Sequence, residues 1–295
     1  MTPFDITFVG HMCYDEIVPY QGETRVAPGS AVLCGAAAAA RVGKRVAVVT
    51  RMAEADASIL DPLRADGVRT FVIPAGETTR MCVLHPTPDV DVRQMLQIAN
   101  AGFFRIDEIP GFPTTFLHLA GITDQEFTLD LIRGLKARGC SVSADMQSFV
   151  RKVNPATREI AFTDVPRKAE IVGLLDRVKL DVVEAGILTG RDDLEQAALV
   201  AESWGCPEVM ITQAEGVLAR VRGQTHYERF SNRNSSGRTG RGDTTFAAYM
   251  AWRLDHAPAE SLRFAAALVS VKMETPGPFR GTLQDVMARM REKDR

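Results

Sequence analysis

Histidine and cysteine are scarce in this chain, and neither is spaced for metal binding. The five histidines are scattered, with no His-Glu-x-x-His or comparable spacing, which argues against a structural zinc site. The five cysteines (13, 34, 82, 140 and 206) are odd in number, dispersed, and form no Cys-x-x-Cys. Free thiols in a reducing compartment explain them better than a disulfide framework. No apolar run approaches the roughly 18 residues that a membrane helix needs. Basic tracts are missing too: Lys and Arg are dispersed and the net charge is −2, so no nucleic-acid partner is expected. The opening Met1-Thr-Pro-Phe-Asp has no basic region leading into a long apolar segment, which predicts a cytoplasmic protein. Two nucleotide motifs are lacking. No Gly-x-Gly-x-x-Gly follows the first strand-like run, which disfavours a dinucleotide oxidoreductase. No Gly-x-x-x-x-Gly-Lys-[Ser/Thr] occurs, which disfavours a P-loop nucleotidase.

What is present is an alternation of short β-like runs with helical ones. Strands are expected at Asp5–Gly10, Arg45–Thr50, Phe116–Gly121, Cys140–Ala144, Leu180–Val183 and Glu208–Thr212. Helices are expected at Val32–Val42, Ala57–Ala65, Gln125–Arg138, Lys168–Val178, Leu194–Trp204, Asp243–Leu254, Ala259–Met273 and Leu283–Glu292. Gly216–Val221 and Thr225–Phe230 read as a hairpin about Arg222-Gly223-Gln224. Such alternation over 295 residues predicts one α/β domain, 1–295, with a mainly parallel sheet covered on both faces. Ligands in such sheets bind beyond the carboxyl ends of the strands. Residues 11–28 and about 70–100 do not fit the alternation and are expected to form a small β lid.

The most informative stretch is Gly237 to Phe246, Gly-Arg-Thr-Gly-Arg-Gly-Asp-Thr-Thr-Phe. Glycines let backbone amides converge without a Cβ in the way, and the following helix adds its first-turn donors and positive dipole end. That combination binds phosphate. Asp243 would repel a bound anion, but it makes sense as the group that takes a proton from an attacking hydroxyl. The same Asp-Thr-Thr also reads as an ordinary helix cap.

The glycine loop resembles the second signature of the ribokinase/PfkB carbohydrate kinases, with Gly240, Arg241, Gly242 and Asp243 on its Gly-Ala-Gly-Asp. Three further segments are similar in the right order. Val9-Gly-His-Met-Cys-Tyr-Asp15 looks like the family's first strand and its substrate-binding Asp. Pro28-Gly29-Ser30, followed by the alanine helix and Arg41-Val-Gly43, looks like its Gly-Gly motif. Asp181-Val-Val-Glu184, with its Leu-Thr-Gly190 tail, looks like its Asn-x-x-Glu. The resemblance implies a ribokinase-like three-layer sandwich with a β lid, and ATP-dependent phosphoryl transfer to a hydroxyl of a small polyhydroxylated substrate, a sugar or sugar derivative. Asp243 would be the base and the amides of Gly240, Arg241 and Gly242 the anion hole. Asp15, Gly29 and Ser30 would bind substrate, and Thr212, Gly216 and Gly277 the nucleotide. Glu184 would order water around Mg²⁺, and a homodimer through the lid would follow by analogy.

Departures from the pattern matter. Gly237 replaces an Asp that shapes a monovalent-cation loop in the family, Ser30 the second glycine of Gly-Gly, and Arg241 an alanine. Cys34 stands for an Asn that touches sugar hydroxyls, and Asp181 for the Asn of Asn-x-x-Glu. The nucleotide pattern is poorly kept in Thr212-Gln-Ala-Glu-Gly216. Arg80, on the expected lid, reads either as a substrate contact or as a solvated strand residue. A nucleoside or inositol kinase of the same fold is the alternative enzyme. A non-catalytic binding relative is the alternative class, disfavoured because a pure binder needs no base beside its phosphate loop.

Overall fold

The computed structural model describes residues 2–89 and 92–293. Its strands, in chain order, are β1 Phe4–Val9, β2 Cys13–Val18, β3 Arg25–Gly29, β4 Val46–Met52, β5 Arg69–Pro74, β6 Thr79–Leu84, β7 Gln94–Ala99, β8 Thr114–Leu119, β9 Val142–Asp145, β10 Arg151–Val153, β11 Ile160–Phe162, β12 Arg177–Asp181, β13 Glu208–Thr212, β14 Gly216–Val221 and β15 Gln224–Arg229. The helices are α1 Ala31–Arg41, α2 Asp61–Ala65, α3 Leu129–Ala137, α4 Gln147–Val150, α5 Lys168–Gly173, α6 Val182–Thr189, α7 Leu194–Ser203, α8 Arg241–Arg253, α9 Pro258–Met273 and α10 Leu283–Lys293.

The large sheet runs β15-β14-β13-β12-β9-β8-β1-β4-β5. Pairing is parallel from β13 through to β5 and antiparallel only at the β13–β14–β15 end. Alternation along each strand feeds two cores. Ile6, Phe8, Val48 and Met210 join the alanines of α1 with Phe246, Tyr249, Phe264 and Leu268 of α8 and α9. Val9, Val49, Leu119 and Ile211 face the other way, onto Leu131 and Ile132 of α3, Val172 of α5, Leu188 of α6 and Ala198 of α7. The expected three-layer α/β arrangement is therefore present. Each large side chain so buried contributes about 1.5–3 kcal/mol over leaving it in water.

A second sheet, β3-β2-β6-β7, stands apart from the first. It is built from the two segments that did not fit the alternation, with β2 parallel to β6 and the outer pairs antiparallel. One boundary needs correcting: Arg69–Pro74 is the edge strand of the large sheet, because Phe71 and Val72 pack into its two cores. Positions 90 and 91 of that segment lie outside the described residues.

Other departures have local causes. The helix expected at Gln125–Arg138 begins only at Leu129, where the Thr128 hydroxyl accepts from Leu131 N at 3.2 Å. Phe127, whose spacing extended the pattern, is a buried ring beside Phe104 instead. The stretch Lys168–Val178 divides into α5 and the start of β12. The strand expected at Leu180–Val183 ends at Asp181, whose carboxylate caps α6. The β-branched Val182 and Val183 mimicked strand continuation there. The helix expected over Ala57–Ala65 is a 3-10 segment, Glu54–Leu60, running into short α2. The expected hairpin forms, but Gln224 pairs with Val221 as the first residue of β15, so the turn is the two residues Arg222 and Gly223, both at positive φ (46° and 85°).

Candidate active site

The carboxyl ends of β9, β12 and β13 converge with the start of α8, and Asp145, Lys179 and Thr212 meet there. Helix α8 begins after Gly240, which sits at φ 76° as the N-cap. A Cβ on Gly240 would lie 2.4 Å from Cys34 Sγ, and one on Gly242 2.9 Å from Lys179 Cε. Gly240 is therefore required by its positive φ and the approach of α1, and Gly242 lets the Lys179 side chain of β12 come close. Asp243 is the third residue of α8. The capping position belongs to Gly240, so the reading of Asp243 as the helix cap is not what the backbone shows. Burial raises the Asp243 carboxyl pKa, Lys179 opposes that rise, and the neighbouring Asp145 adds to it. The net shift is upward, which makes Asp243 a stronger base than a solvated carboxylate.

Asp15, on β2, faces the same point. Its carboxyl pKa is also raised, by burial first and then by the charge of Asp243, against a hydrogen bond from Cys13 at 3.3 Å. Its carboxylate packs over Gly29, where a Cβ would sit 2.0 Å from Asp15 Oδ2. Ser30 caps α1, its hydroxyl accepting from Leu33 N at 3.1 Å and donating to Met12 Sδ at 3.6 Å. Its backbone, at φ 126° and ψ 158°, keeps the conformation of the glycine that the family pattern has there. Such a conformation costs a non-glycine residue about 1–3 kcal/mol. The Cys34 thiol is pushed up to about 12, by burial and by Asp243, and stays neutral.

Behind Gly242 lies a second charge cluster. Lys179 Nζ donates to Asp145 Oδ2 at 2.8 Å, both groups buried. Burial alone would lower the lysine pKa, but Asp145, Glu184, Asp243 and Asp181 outweigh it and keep the ammonium protonated. Glu184 is fully buried in the first turn of α6 rather than exposed at a strand end. Its Oε2 accepts from Asp181 N while Asp181 Oδ1 accepts from Glu184 N, both at 2.8 Å. This is a reciprocal capping box, so Asp181 supplies the cap that an Asn would supply in the family pattern. The other oxygen, Oε1, has no hydrogen-bond partner and lies 3.8 Å from Arg151 Nη2. Burial raises the Glu184 pKa, against the pull of Lys179. A buried, unpartnered acceptor of this kind fits a water on a hydrated Mg²⁺ ion. Among the described residues no three His, Cys, Asp or Glu side chains are grouped to ligate a metal directly.

Thr212 ends β13, its hydroxyl donating to Leu180 O and lying near Gly242. Arg241 Nη1 reaches Ala214 O at 3.5 Å, so the guanidinium spans from the glycine loop to the 212–216 turn instead of standing in solvent. Gly216 and Gly277 are less closely tied to the centre. Gly216 is packed against Tyr227 and Glu228, and Gly277 turns at φ 89° beside Arg280. Arg80 is engaged elsewhere, its guanidinium 5.2 Å over the ring of Tyr14, its partner across the small sheet.

Four site residues, Asp145, Lys179, Arg151 and Lys272, escaped the sequence reading. Two carried a signal: Lys179 interrupts the apolar run Val178–Leu180 of a central strand, and Lys272 falls between Val271 and Met273 on a buried helix. A charge at such a place is costly unless it is paired.

Comparison with known proteins agrees with this fold. A model of the pfkB family carbohydrate kinases matches residues 2–283. The cytidine kinase of Thermococcus kodakarensis is 27% identical over 228 residues, which is 72% of this chain and 75% of that protein. A sulfate complex of a pyrophosphate-dependent kinase in the ribokinase family superposes with a TM-score of 0.89 at 31% identity, covering 96% of this chain and 99% of the other. A kinase of that kind complexed with a pyrophosphate analog and myo-inositol gives 0.87 at 30% identity, again covering 96% and 99%. No helix among the described residues is long and apolar enough to cross a membrane. The chain belongs to the pfkB family of carbohydrate kinases, phosphotransferases that act on an alcohol group.

Proposed function

We propose that this protein transfers a phosphoryl group from a phosphoanhydride donor to a hydroxyl of a small cyclic polyol, with Asp243 as the base. The observation that carries the reading is the raised, enclosed carboxylate of Asp243 in the first turn of α8, within electrostatic reach of Asp15. The acceptor hydroxyl gives its proton to Asp243 as its oxygen bonds to phosphorus, and the bridging P–O bond to the leaving phosphate breaks. Phosphoryl transfer spreads charge over the transferred oxygens, so fixed donors there matter most. The amides of Gly240 and Gly242 supply them; that of Arg241, expected to join them, instead closes the loop by donating to Arg238 O at 3.1 Å. Asp15 accepts hydrogen bonds from ring hydroxyls over the backbone of Gly29 and Ser30. Thr212, Gly216 and Gly277 line the donor side. Magnesium, when bound, offsets the charge of the donor phosphates, and Glu184 would hold its water through Oε1. A polyol acceptor is favoured by the relative complexed with myo-inositol, which covers 96% of this chain, over a nucleoside acceptor, whose relative covers 72%.

ATP is the donor that family resemblance implies. A second reading, inorganic pyrophosphate, is favoured by Arg241, whose guanidinium reaches Ala214 O within the stretch expected to meet the nucleotide. Three similar solved structures at 30% identity or more are of pyrophosphate-dependent kinases. Turnover with Mg-ATP and with Mg-pyrophosphate, each against myo-inositol, cytidine, ribose and fructose, separates the two readings and identifies the acceptor.

Asp243→Asn tests the base. Asparagine removes the proton acceptor and leaves the cap at Gly240, so melting temperature should hold while turnover falls by about 10²–10⁴-fold. Near-normal turnover in a folded variant overturns the mechanism.

A further inference from the structure

We propose that Lys272 is a built-in cation that pins the anion loop from behind, so that phosphoryl transfer by this protein needs no monovalent cation from solution. Lys272 sits in the last turn of α9 and is 2% exposed. Its ammonium donates to Gly237 O at 2.5 Å and to Thr239 O. Each trans peptide points its carbonyl and the next amide in opposite directions, and no peptide among the described residues is cis. Holding the carbonyls of Gly237 and Thr239 toward Lys272 therefore turns the amides of Arg238 and Gly240 to the opposite face. That orientation is what an anion hole requires of Gly240.

Three further observations fit a device rather than a stray charge. The loop lies flat on the end of α9, with Gly237 N donating to Met273 O at 2.8 Å, and a Cβ at Gly237 would meet Thr275 O at 1.9 Å. The ammonium stands at a helix C-terminus, where the dipole favours a cation. Burial lowers the Lys272 pKa, and Cys34 and Asp243 oppose that, which places the ammonium within electrostatic reach of the transfer point. Burial would otherwise be an expensive way to keep a lysine. Carbonyl oxygens converging on one positive centre would hold a small free cation as well. Removing the lysine should therefore create a cation requirement.

The inference rests on the proposed phosphoryl transfer, and three measurements keep the two separable. Wild-type protein assayed in tetramethylammonium buffer, with Mg²⁺ as the sole metal, should turn over as fast as it does with K⁺ or NH₄⁺ added. A requirement for either ion overturns the inference. Lys272→Ala should lose about 10- to 100-fold in kcat, the usual range for a lost charge-assisted hydrogen bond, with little change in acceptor KM. Added K⁺, NH₄⁺ or ethylammonium should restore part of that loss. A folded variant with full activity, or a loss that none of these ions repairs, refutes the role. Lys272→Met, which keeps the apolar stem, should bind pyrophosphate at least tenfold more weakly by calorimetry whatever the true acceptor is. If wild type binds pyrophosphate or ATP yet phosphorylates nothing, the proposed function fails while this binding test still decides the loop. If Lys272→Met binds as wild type does, the loop inference fails alone.

Discussion

Ser30 shows how one side chain can serve two opposed demands. Its hydroxyl caps α1, while its backbone occupies a region that only glycine enters freely. Replacing Ser by Gly at an N-cap costs only a few tenths of a kcal/mol, whereas Ala costs about 0.5–2. Relief of the strain is worth about 1–3 kcal/mol. Ser30→Gly should therefore be more stable than wild type in urea melts, and Ser30→Ala less stable. The reverse order would show that the backbone relaxes around this residue at no cost. Gly29 is the opposite case. A methyl there would collide with the Asp15 carboxylate, so Gly29→Ala should raise the acceptor KM far more than it lowers melting temperature. An unchanged KM would remove Asp15 from substrate binding. The raised Asp243 pKa gives a pH signature at the same scale. The base must be deprotonated to act, so kcat/KM should fall as pH drops through a value above the ordinary carboxylate range. In Asp243→Asn that acid limb should vanish along with most of the rate. An acid limb at an unshifted carboxylate value would argue against this residue as the base.

At the scale of elements, the small sheet β3-β2-β6-β7 carries Asp15 on β2 and runs through β3 to Gly29. A sheet that delivers a substrate ligand beside the transfer point is placed to exclude water when substrate binds. Hydrogen exchange in 13–29, in Thr79–Leu84 and in Gln94–Ala99 should slow on acceptor binding while β1 and β8 stay unchanged. Identical exchange with and without acceptor would take closure out of the mechanism. The sequence displayed this sheet only as two stretches that broke an alternation. Parallel strands buried on both faces left clear apolar runs, so β4 and β13 could be read within a residue or two. Helix starts were less legible where the cap follows a misleading apolar residue, as Thr128 follows Phe127. Glu184 was found through its spacing from Asp181. Its burial and its part in a capping box depend on β12 stopping at Asp181, which β-branched neighbours concealed. Lys179 and Asp145 lie on strands that pair only in the folded sheet, so their ion pair had no trace in local sequence.

For the whole molecule, enclosing Asp15, Glu184 and Asp243 has a thermodynamic cost that depends on pH. All three have pKa values raised in the folded state. Between the ordinary carboxylate value and the raised one, the folded protein binds more protons than the unfolded chain, so stability falls as pH increases. The exposed pairs that lower Asp164 and Glu170 act in the opposite sense at acid pH, and solvent screens them. Comparison with Glu184→Gln isolates one buried carboxylate. The variant should gain on wild type as pH rises through the raised Glu184 value, and the two should converge in acid. A pH-independent difference would mean that Glu184 titrates normally. The same variant should lose activity across a Mg²⁺ titration, and an unchanged rate would remove Glu184 from the metal's hydration shell.

The layer of helices over one face of the large sheet also has a history in time. Alanine-rich α1 is completed near residue 41, but α8 and α9, which cover it, begin at residue 241. At about 5–20 residues per second, a ribosome needs about 10–40 s to make the intervening stretch of about 200 residues. Throughout that interval β1, β4 and α1 present an apolar face that only Ile59, Leu60 and Leu63 begin to cover. The last fifth of the chain therefore closes the core around its first strand and brings Asp243 to Asp15 in one event. A nascent chain arrested before α8 should be a chaperone client with no transferase activity at all.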